Sequence, residues 1–276
     1  MHGLGNDFVL LDLISQDIRL RKEQIRTLSD RREGIGFDQL LTVEPPGNPH
    51  ADFRYRIYNA DGTEAEQCGN GARCFIRFVR DRGLTTKTAI TLETSTGCIE
   101  CKLEKDGNIT VNMGRPRLEP EHIPFKADRP QITYELQVKL PQCPDNTDTI
   151  CISAVNVGNP HAVTVVKDIA SAPVARLGPI VESHPRFPDK VNVSFMQILS
   201  RNKIALRVFE RGVGETRACG TAACASVVAG RLQGLLDDSV EVQLPGGSLQ
   251  LTWAGNDADI RMTGPACRVY EGRLHI

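Results

Sequence analysis

An internal repeat constrains the fold of this chain more than any other feature of its sequence. Residues 56–84 align with residues 207–235 without a gap, and eight of the 29 aligned pairs are identical. Random pairing at average composition would give roughly two. The identical pairs are Arg56/Arg207, Glu64/Glu215, Cys68/Cys219, Gly69/Gly220, Ala72/Ala223, Arg80/Arg231, Gly83/Gly234 and Leu84/Leu235. With small shifts, residues 5–8 match 158–161, and Gln39 matches Asn192. The chain is therefore predicted to form two homologous lobes, residues 1–135 and 150–276.

Between the lobes, the Pro-, Asp- and Thr-rich stretch 141–148 is typical of a linker. Short alternating runs at 53–58 and 203–209 indicate antiparallel strands with one buried face. We expect an α+β fold of two pseudo-symmetric lobes, with the active site in the interlobe cleft. Each lobe would be a curved antiparallel β-sheet or barrel around a central α-helix, and the chain ends could cross between lobes.

One helix is predicted in each lobe. In the first, Ala72, Ile76 and Val79 form an apolar stripe, and the arginines at 73, 77 and 80 are expected on the opposite, solvent-facing side. This helix should end at Gly83, because glycine commonly follows a helix C-terminus. In the second lobe, residues 222–229 are apolar nearly all round, so that helix should be buried and should end at Gly230 or Gly234.

Composition excludes several classes of function. The 276 residues carry a formal net charge of -1, which does not favour binding to nucleic acid or to an anionic membrane. No apolar run approaches the roughly 20 residues of a membrane span, and residues 1–7 lack the features of a signal peptide. Nine cysteines, an odd number, favour reduced thiols over a disulfide framework. A cytoplasmic location is expected.

The repeated cysteines, Cys68 and Cys219, are the strongest candidates for chemistry. Each precedes a glycine where its lobe's helix should begin, so each thiol would lie near unpaired backbone N–H groups and the positive end of the helix dipole. Both effects favour the thiolate and predict a lowered pKa. Two thiols facing one ligand suit inversion at a carbon centre, where one removes a proton and the other delivers one to the opposite face. No metal and no cofactor would then be required. The alternative is that both are buried structural cysteines.

Other residues point to an amino-acid substrate. Glu210 and Arg211 end a predicted strand and are followed by glycines, which is typical of a binding loop. The carboxylate could take an ammonium group, and the guanidinium could take a carboxylate. Amides at repeat-matched positions could orient such a zwitterion, although turn capping is as common a use. These amides are Asn6 with Asn159, Gln39 with Asn192, and Asn59, which matches Glu210.

Two further features keep alternative interpretations open. His161 lies in an otherwise apolar run, where a histidine is more often a satisfied core residue than a functional one. Cys98 and Cys101 have the spacing of half a zinc site, but no second pair occurs elsewhere and the segment is predicted to be a strand. A thiol redox or zinc-binding protein is therefore a weaker alternative.

Several of these motifs together resemble the diaminopimelate epimerase family, and the resemblance covers essentially the whole chain. The matching segments are GLGNDF at 3–8, GIGFDQ at 34–39, NADG at 59–62, CGNGARC at 68–74, GNPH at 158–161, ERGVGET at 210–216, ACGTA at 218–222 and LPGG at 244–247.

This resemblance implies a cofactor-independent, two-base epimerase that interconverts LL- and meso-2,6-diaminopimelate in the cytoplasm, usually as a homodimer, for lysine and cell-wall precursor synthesis. It implies that Cys68 and Cys219 are the acid/base pair and that residues matching His161 and Glu210 contribute to catalysis. The carboxylate at the reacting centre would be bound by Gly69, Asn70, Gly220 and Thr221. The rest of the substrate would be bound by Asn6, Gln39, Asn59, Asn159, Asn192, Glu210 and Arg211. The nearest alternative is another isomerase of the same two-lobe architecture, resembling proline racemase or the phenazine-biosynthesis enzymes.

Overall fold

The computed structural model describes residues 1–65, 68–139 and 147–274 and divides the chain into two compact units. Unit 1 contains residues 1–112 and 263–276, and unit 2 contains residues 113–262. The helices are α1 (Lys22–Ser29), α2 (Gly69–Asp81), α3 (Val174–Glu182) and α4 (Gly220–Leu232). The strands are β1 (His2–Gly3), β2 (Asn6–Asp12), β3 (Gln39–Glu44), β4 (Phe53–Asn59), β5 (Glu64–Ala65), β6 (Ala89–Thr94), β7 (Gly97–Leu103), β8 (Ile109–Asn112), β9 (Tyr134–Lys139), β10 (Thr147–Asn156), β11 (Pro160–Val165), β12 (Asn192–Ser200), β13 (Lys203–Glu210), β14 (Gly214–Thr216), β15 (Ser239–Leu244), β16 (Gly247–Thr252) and β17 (Arg261–Gly264). Among the described residues, no helix is long and apolar enough to cross a membrane.

Both units use the same sequence of strand pairings. In unit 1, β2 pairs with β3 in parallel, β3 with β4 antiparallel, β4 with β5 antiparallel and with β6 in parallel, and β6 with β7 antiparallel. In unit 2, β11, β12, β13, β14, β15 and β16 repeat these five pairings in the same order and directions. Helices α2 and α4 occupy equivalent places, between β5 and β6 and between β14 and β15. The two-lobe organisation predicted from the repeat is confirmed.

Identical residues of the repeat occupy equivalent structural positions. Arg56 binds Glu64 through Nε and Nη2, each 2.8 Å from a carboxylate oxygen. Arg207 binds Glu215 in the same two-pronged way, at 2.7 and 3.0 Å. Each pair joins the strand that carries the arginine to the short strand before the central helix. The repeat therefore preserves a cross-strand contact on the approach to each helix.

The central helices begin and end as their sequences predict. Cys68 and Cys219 are the N-cap residues of α2 and α4. Gly83 and Gly234 follow the two C-termini with φ of +68° and +73°, in the left-handed region that favours glycine. The second helix thus ends at Gly234, and Gly230 lies inside it.

The sheets differ from the antiparallel prediction. Parallel pairs occur in both units because helices and long loops, rather than hairpins alone, connect neighbouring strands. The pairings among the described strands leave the sheet unclosed, so the barrel considered as an alternative does not form. Helices α1 and α3 were not predicted; both lie between two strands that pair in parallel.

The unit boundaries also differ from 1–135 and 150–276. Residues 113–139 belong to unit 2 because β9 pairs with β10 along six residues and Arg117 pairs with Asn156. Residues 263–276 belong to unit 1, where Cys267 pairs with His2 through backbone hydrogen bonds of 2.9 and 3.0 Å. Of the predicted linker, residues 141–146 lie outside the described residues, whereas 147 and 148 begin β10.

Candidate active site

The start of α2 gathers several predicted site residues of unit 1. The Cys68 sulfur accepts a hydrogen bond from the Gly71 N–H at 3.4 Å and lies 3.9 Å from Asn6 Oδ1. The Asn70 side chain donates to the same Asn6 oxygen at 3.4 Å. The Tyr55 hydroxyl donates to the Cys68 carbonyl at 3.1 Å and holds the N-cap in place. The structure therefore brings Asn6, Cys68 and Asn70 together, as the sequence predicts.

Two glycines, Gly69 and Gly71, lie in the first turn of this helix, and both are buried. Gly69 follows Cys68 directly, and the first N–H groups of a helix have no partner within the helix. Gly71 has a steric role of its own, because a Cβ there would lie 2.3 Å from the Tyr55 hydroxyl oxygen. The backbone can thus approach the tyrosine closely only with glycine at this position.

Gln39 and Asn59 form a second polar pair in unit 1. They are directly opposite each other on β3 and β4, and Gln39 Nε2 donates to Asn59 Oδ1 at 3.0 Å. Asn59 in turn donates from its side chain to the Thr63 hydroxyl at 3.1 Å. Gln39 pairs in parallel with Phe8 on β2, and Asn6 precedes Phe8 by two residues in the same strand. The Gln39–Asn59 pair is therefore offset from Asn6 by two residue positions along β2.

In unit 2, Cys219 lies in a different environment from Cys68. Its side chain is buried, and its sulfur is 3.4 Å from the Thr221 hydroxyl. Burial, and then the negative charge of Glu210, raise the pKa of the Cys219 thiol well above its usual range. The predicted lowering of the Cys219 pKa is therefore wrong, because the favourable helix N-terminus and the Thr221 hydroxyl are outweighed by desolvation and by a nearby carboxylate.

Glu210 is held beside this thiol by Thr216, whose hydroxyl donates to Glu210 Oε1. The two residues lie near the ends of β13 and β14, which pair antiparallel around the turn 211–213. Glu210, Cys219 and Thr221 thus form one group of predicted residues. The sequence marks Thr216 only by its place in the ERGVGET motif.

His161 is fully buried, and its Nε2 is 2.8 Å from Asn159 Oδ1. Because the asparagine oxygen accepts, this nitrogen carries the proton and Nδ1 is the unprotonated one. Nδ1 has no hydrogen-bond partner in the described structure. Burial, and then the positive charge of Arg211, lower the pKa of His161 to about 3. The imidazole is therefore neutral at physiological pH.

Asn192 positions the loop that carries Arg211. The buried Asn192 side chain donates to the Pro160 carbonyl and accepts from the Arg211 N–H, both at 3.0 Å. A residue missed in the sequence, Glu182 at the end of α3, accepts from the Gly212 N–H at 2.8 Å and forms an ion pair with Lys190 at 3.7 Å. Asn192 and Glu182 therefore fix successive residues of one loop.

Arg73 is the largest departure from the predicted site. It was expected on the solvent side of α2, but it is fully buried. Its guanidinium donates to Asn70 Oδ1 at 3.0 Å and to the carbonyls of Pro265 and Gly69 at 3.1 and 3.5 Å. The repeat contained a signal for this burial, because Arg73 aligns with Cys224, and free cysteine is among the most buried residue types.

The zinc alternative is not supported by the CxxC segment. Cys98 and Cys101 are both in β7, where residues three apart lie on opposite faces. Cys98 is exposed, whereas Cys101 is buried and burial raises its pKa to about 12. No group of three or more His, Cys, Asp or Glu side chains among the described residues could hold a metal ion.

Comparison with known proteins identifies the family of this chain. A family model described as diaminopimelate epimerase matches residues 1–119 and 153–269, including both N-cap cysteines. The chain belongs to the diaminopimelate epimerase family. Its relatives include the diaminopimelate epimerases of Thioalkalivibrio sulfidiphilus, 56% identical, and Pseudomonas aeruginosa, 54% identical. In both comparisons the match covers 100% of this chain and 98% of the relative.

Solved structures show the fold that the diaminopimelate epimerase family shares with other proteins. A phenazine biosynthesis protein of the PhzF family from Bacillus anthracis matches with a TM-score of 0.65 at 17% identity, over 100% of this chain and 95% of that protein. A hydroxyproline epimerase from Agrobacterium vitis, with bound trans-4-hydroxy-L-proline, matches with a TM-score of 0.61 at 16% identity. This match covers 88% of this chain and 77% of that protein. At these identities the likeness establishes the two-lobe α+β fold.

Proposed function

We propose that this chain is a cofactor-independent epimerase that interconverts LL- and meso-2,6-diaminopimelate. The observation that carries the proposal is the repeated N-cap cysteine, because the same thiol begins the central helix of each unit. Relatives named diaminopimelate epimerase, 53–56% identical over the whole chain, support the choice of substrate. The chain would act in lysine and peptidoglycan precursor synthesis, in the cytoplasm, as a homodimer.

In this proposal Cys68 and Cys219 are the acid/base pair and act on opposite faces of one Cα. One thiolate removes the Cα proton, and the other thiol returns a proton to the opposite face. Cys68 suits a group that changes its protonation state in each turnover. The Gly71 N–H can stabilise its thiolate, and Asn6 Oδ1 can accept from its thiol.

The α-carboxylate is the group at which negative charge develops when the Cα proton leaves. We propose that it is held by the helix starts, through Gly69 and Asn70 in one unit and Gly220 and Thr221 in the other. Backbone N–H groups and the positive end of a helix dipole stabilise such charge without a metal or a cofactor.

The polar residues around the cysteines would bind the rest of the substrate. Glu210 can take the ammonium group and Arg211 the distal carboxylate. Because Glu210 also lies next to Cys219, it is placed to exchange a proton with that thiol. The neutral His161 is proposed to orient the Asn159 side chain, whose Oδ1 accepts from His161 Nε2 at 2.8 Å. The remaining proposed contacts are the amides Asn6, Gln39, Asn59, Asn159 and Asn192.

Solvent deuterium uptake tests this function directly. The purified chain is incubated in D₂O with LL-diaminopimelate and no added cofactor, and Cα deuterium and meso product are followed by NMR. Both should appear. The meso product should be lost in Cys68→Ala and Cys219→Ala but retained in the control Cys98→Ala, whose thiol is exposed on β7. Absence of exchange at Cα in the unmodified chain would refute the proposal.

Single-thiol variants separate two bases from one. Loss of one positioned acid or base typically costs about 10²–10⁴-fold. With Cys68→Ala, Cys219 should still abstract the proton of the stereoisomer that presents its hydrogen to that side, although inversion is lost. Cys219→Ala should show the opposite preference. With a substrate that carries a leaving group at Cβ, release of that group reports proton removal independently of inversion. If both variants handled both stereoisomers equally well, the assignment of one thiol to each face of the Cα would be contradicted.

A further inference from the structure

Four side chains of unit 1 form a continuous hydrogen-bonded row beside Cys68. Arg73 Nη2 donates to Asn70 Oδ1 at 3.0 Å, Asn70 Nδ2 donates to Asn6 Oδ1 at 3.4 Å, and Asn6 Nδ2 donates to Asp38 Oδ2 at 3.0 Å. The row starts at a fully buried guanidinium and ends at a carboxylate that is 44% exposed. We call it the Arg73–Asp38 row.

The chemistry of the two ends fixes the direction of every bond in the row. A guanidinium can only donate, so Asn70 must turn its oxygen towards Arg73 and its NH₂ towards Asn6. An ionised carboxylate can only accept, so Asn6 must turn its NH₂ towards Asp38. Both ends therefore require the same orientation of the middle amides, with Asn6 Oδ1 facing the Cys68 thiol at 3.9 Å.

We propose that Arg73 and Asp38 are positioning residues that fix the orientation of the substrate-binding amides Asn6 and Asn70 at the Cys68 half of the site. The inference rests on the proposed function for the roles of those two amides. Rotation of the Asn6 amide by 180° would present NH₂ where an oxygen now accepts from the thiol, and would exchange donor for acceptor at the substrate. A fixed orientation avoids this error before substrate binds.

The other unit shows that the fold itself does not need this row. The repeat aligns Asp38 with Val191, Arg73 with Cys224 and Asn70 with Thr221, so neither charged end is present in unit 2. The same strand pairings and the same central helix nevertheless form there. The row is therefore specific to the surroundings of Cys68 and is not a requirement of the repeated architecture.

Asp38 offers the sharper test because it is partly exposed and lies outside the helix. Asp38→Ala removes the oxygen that accepts from the Asn6 NH₂ group. Asp38→Asn keeps an oxygen that can accept from the Asn6 side chain and from the Asp7 N–H, which lies 2.8 Å from Asp38 Oδ2 in the unmodified chain. The matched control is Arg31→Met. Arg31 binds Asp7 and Asp38 at 3.0 and 2.9 Å, so the control removes the ion pairs but leaves the carboxylate facing Asn6.

We expect Asp38→Ala to lower kcat/KM by about tenfold, the equivalent of one charge-assisted hydrogen bond, mainly through a raised KM. Asp38→Asn and Arg31→Met should stay within about threefold of the unmodified chain. The proposal is overturned if Asp38→Asn is as impaired as Asp38→Ala, or if Asp38→Ala keeps full kcat/KM.

A readout independent of catalysis separates this inference from the proposed function. With side-chain ¹⁵N-labelled asparagine, the Asn6 NH₂ signal, assigned by its loss in Asn6→Ala, should lie downfield of a free amide. It should keep that position in Asp38→Asn and Arg31→Met and lose it in Asp38→Ala. An unmodified chain inactive on diaminopimelate would refute the proposed function alone, whereas an Asn6 signal unchanged in Asp38→Ala would refute the Arg73–Asp38 row alone.

Discussion

In unit 1 the Tyr55 hydroxyl lies where a Cβ of residue 71 would be, whereas unit 2 has an alanine, Ala222, at the equivalent position. This difference can be tested with a double-mutant cycle. A Cβ at Gly71 would lie 2.3 Å from the Tyr55 hydroxyl oxygen, closer than real Cβ contacts allow. The repeat aligns Gly71 with Ala222 and Tyr55 with Leu206, both of which are buried in unit 2. We predict that Gly71→Ala is destabilising alone and is substantially rescued by Tyr55→Phe, which removes the hydroxyl.

The magnitudes follow from packing and hydrogen bonding. Tyr55 is 2% exposed and cannot move into solvent, so overpacking by Gly71→Ala should cost about 1–3 kcal/mol. The gain in helix propensity, about 0.5–1 kcal/mol, offsets part of this cost. Tyr55→Phe alone should cost about 0.5–1.5 kcal/mol, because the Cys68 carbonyl loses a donor at 3.1 Å but keeps the Ala72 N–H at 2.9 Å.

The assay is urea unfolding of the four proteins of the cycle, followed by circular dichroism. We expect the double variant to be more stable than additivity predicts by about 1–2 kcal/mol, since the two positions are in contact. Arg77→Ala, a change of a partly exposed residue on the same helix, is the control and should be additive with Tyr55→Phe. If Gly71→Ala is as stable as the unmodified chain, or if the cycle is additive, the steric argument is wrong.

Three further outcomes follow from the site and its helices. Burial lowers the pKa of His161 to about 3, below its unfolded value of about 6.5, so the unfolded chain binds the extra proton first as the pH falls. The free energy of unfolding should therefore fall by up to about 1.4 kcal/mol per pH unit from pH 6.5 towards 3. Unfolding of His161→Gln, measured at several pH values, should show a shallower fall. Gly83→Ala and Gly234→Ala, at positive φ with open space for a Cβ, should each lower the free energy of unfolding by about 1–2 kcal/mol and leave epimerase activity unchanged. Glu182→Ala should raise KM more than it lowers kcat, because it removes the oxygen that accepts from the Gly212 N–H and orients the Arg211 loop; equal effects on KM and kcat would argue against that role.

The sequence predicts the central helices and their cysteines well because the repeat supplies two independent copies of each signal. A cysteine before a glycine at one helix start is a weak indication, but the same arrangement at 68 and 219 is difficult to obtain by chance. The glycines at 83 and 234 mark both ends for a local reason, the left-handed backbone that terminates each helix. Features fixed by local geometry were therefore the ones predicted correctly.

Strand direction was predicted less well because it depends on connections distant in sequence. The alternation in β4 and β13 indicates a buried face, but a strand that pairs in parallel on one side and antiparallel on the other has the same alternation. Burial of Arg73 was missed for a related reason. A charged residue is normally assigned to the solvent side, and only its polar partners, brought together by tertiary structure, make its burial possible.

Under the proposed function the two cysteines act on opposite faces of the substrate Cα. Their different environments would then affect which stereoisomer the free enzyme is ready to deprotonate. At rest the buried Cys219, with Glu210 beside it, favours its protonated form, whereas the Cys68 sulfur has both a donor and an acceptor close by. Under the proposed function the free enzyme then holds an acid at Cys219 and accommodates a base at Cys68. It would be ready for the stereoisomer whose Cα hydrogen faces Cys68. The opposite stereoisomer would first require proton transfer from Cys219, for which Glu210 is the adjacent acceptor. The repeat supplies two equivalent helix starts, and under the proposed function the residues that differ between the lobes would determine which thiol begins as the base.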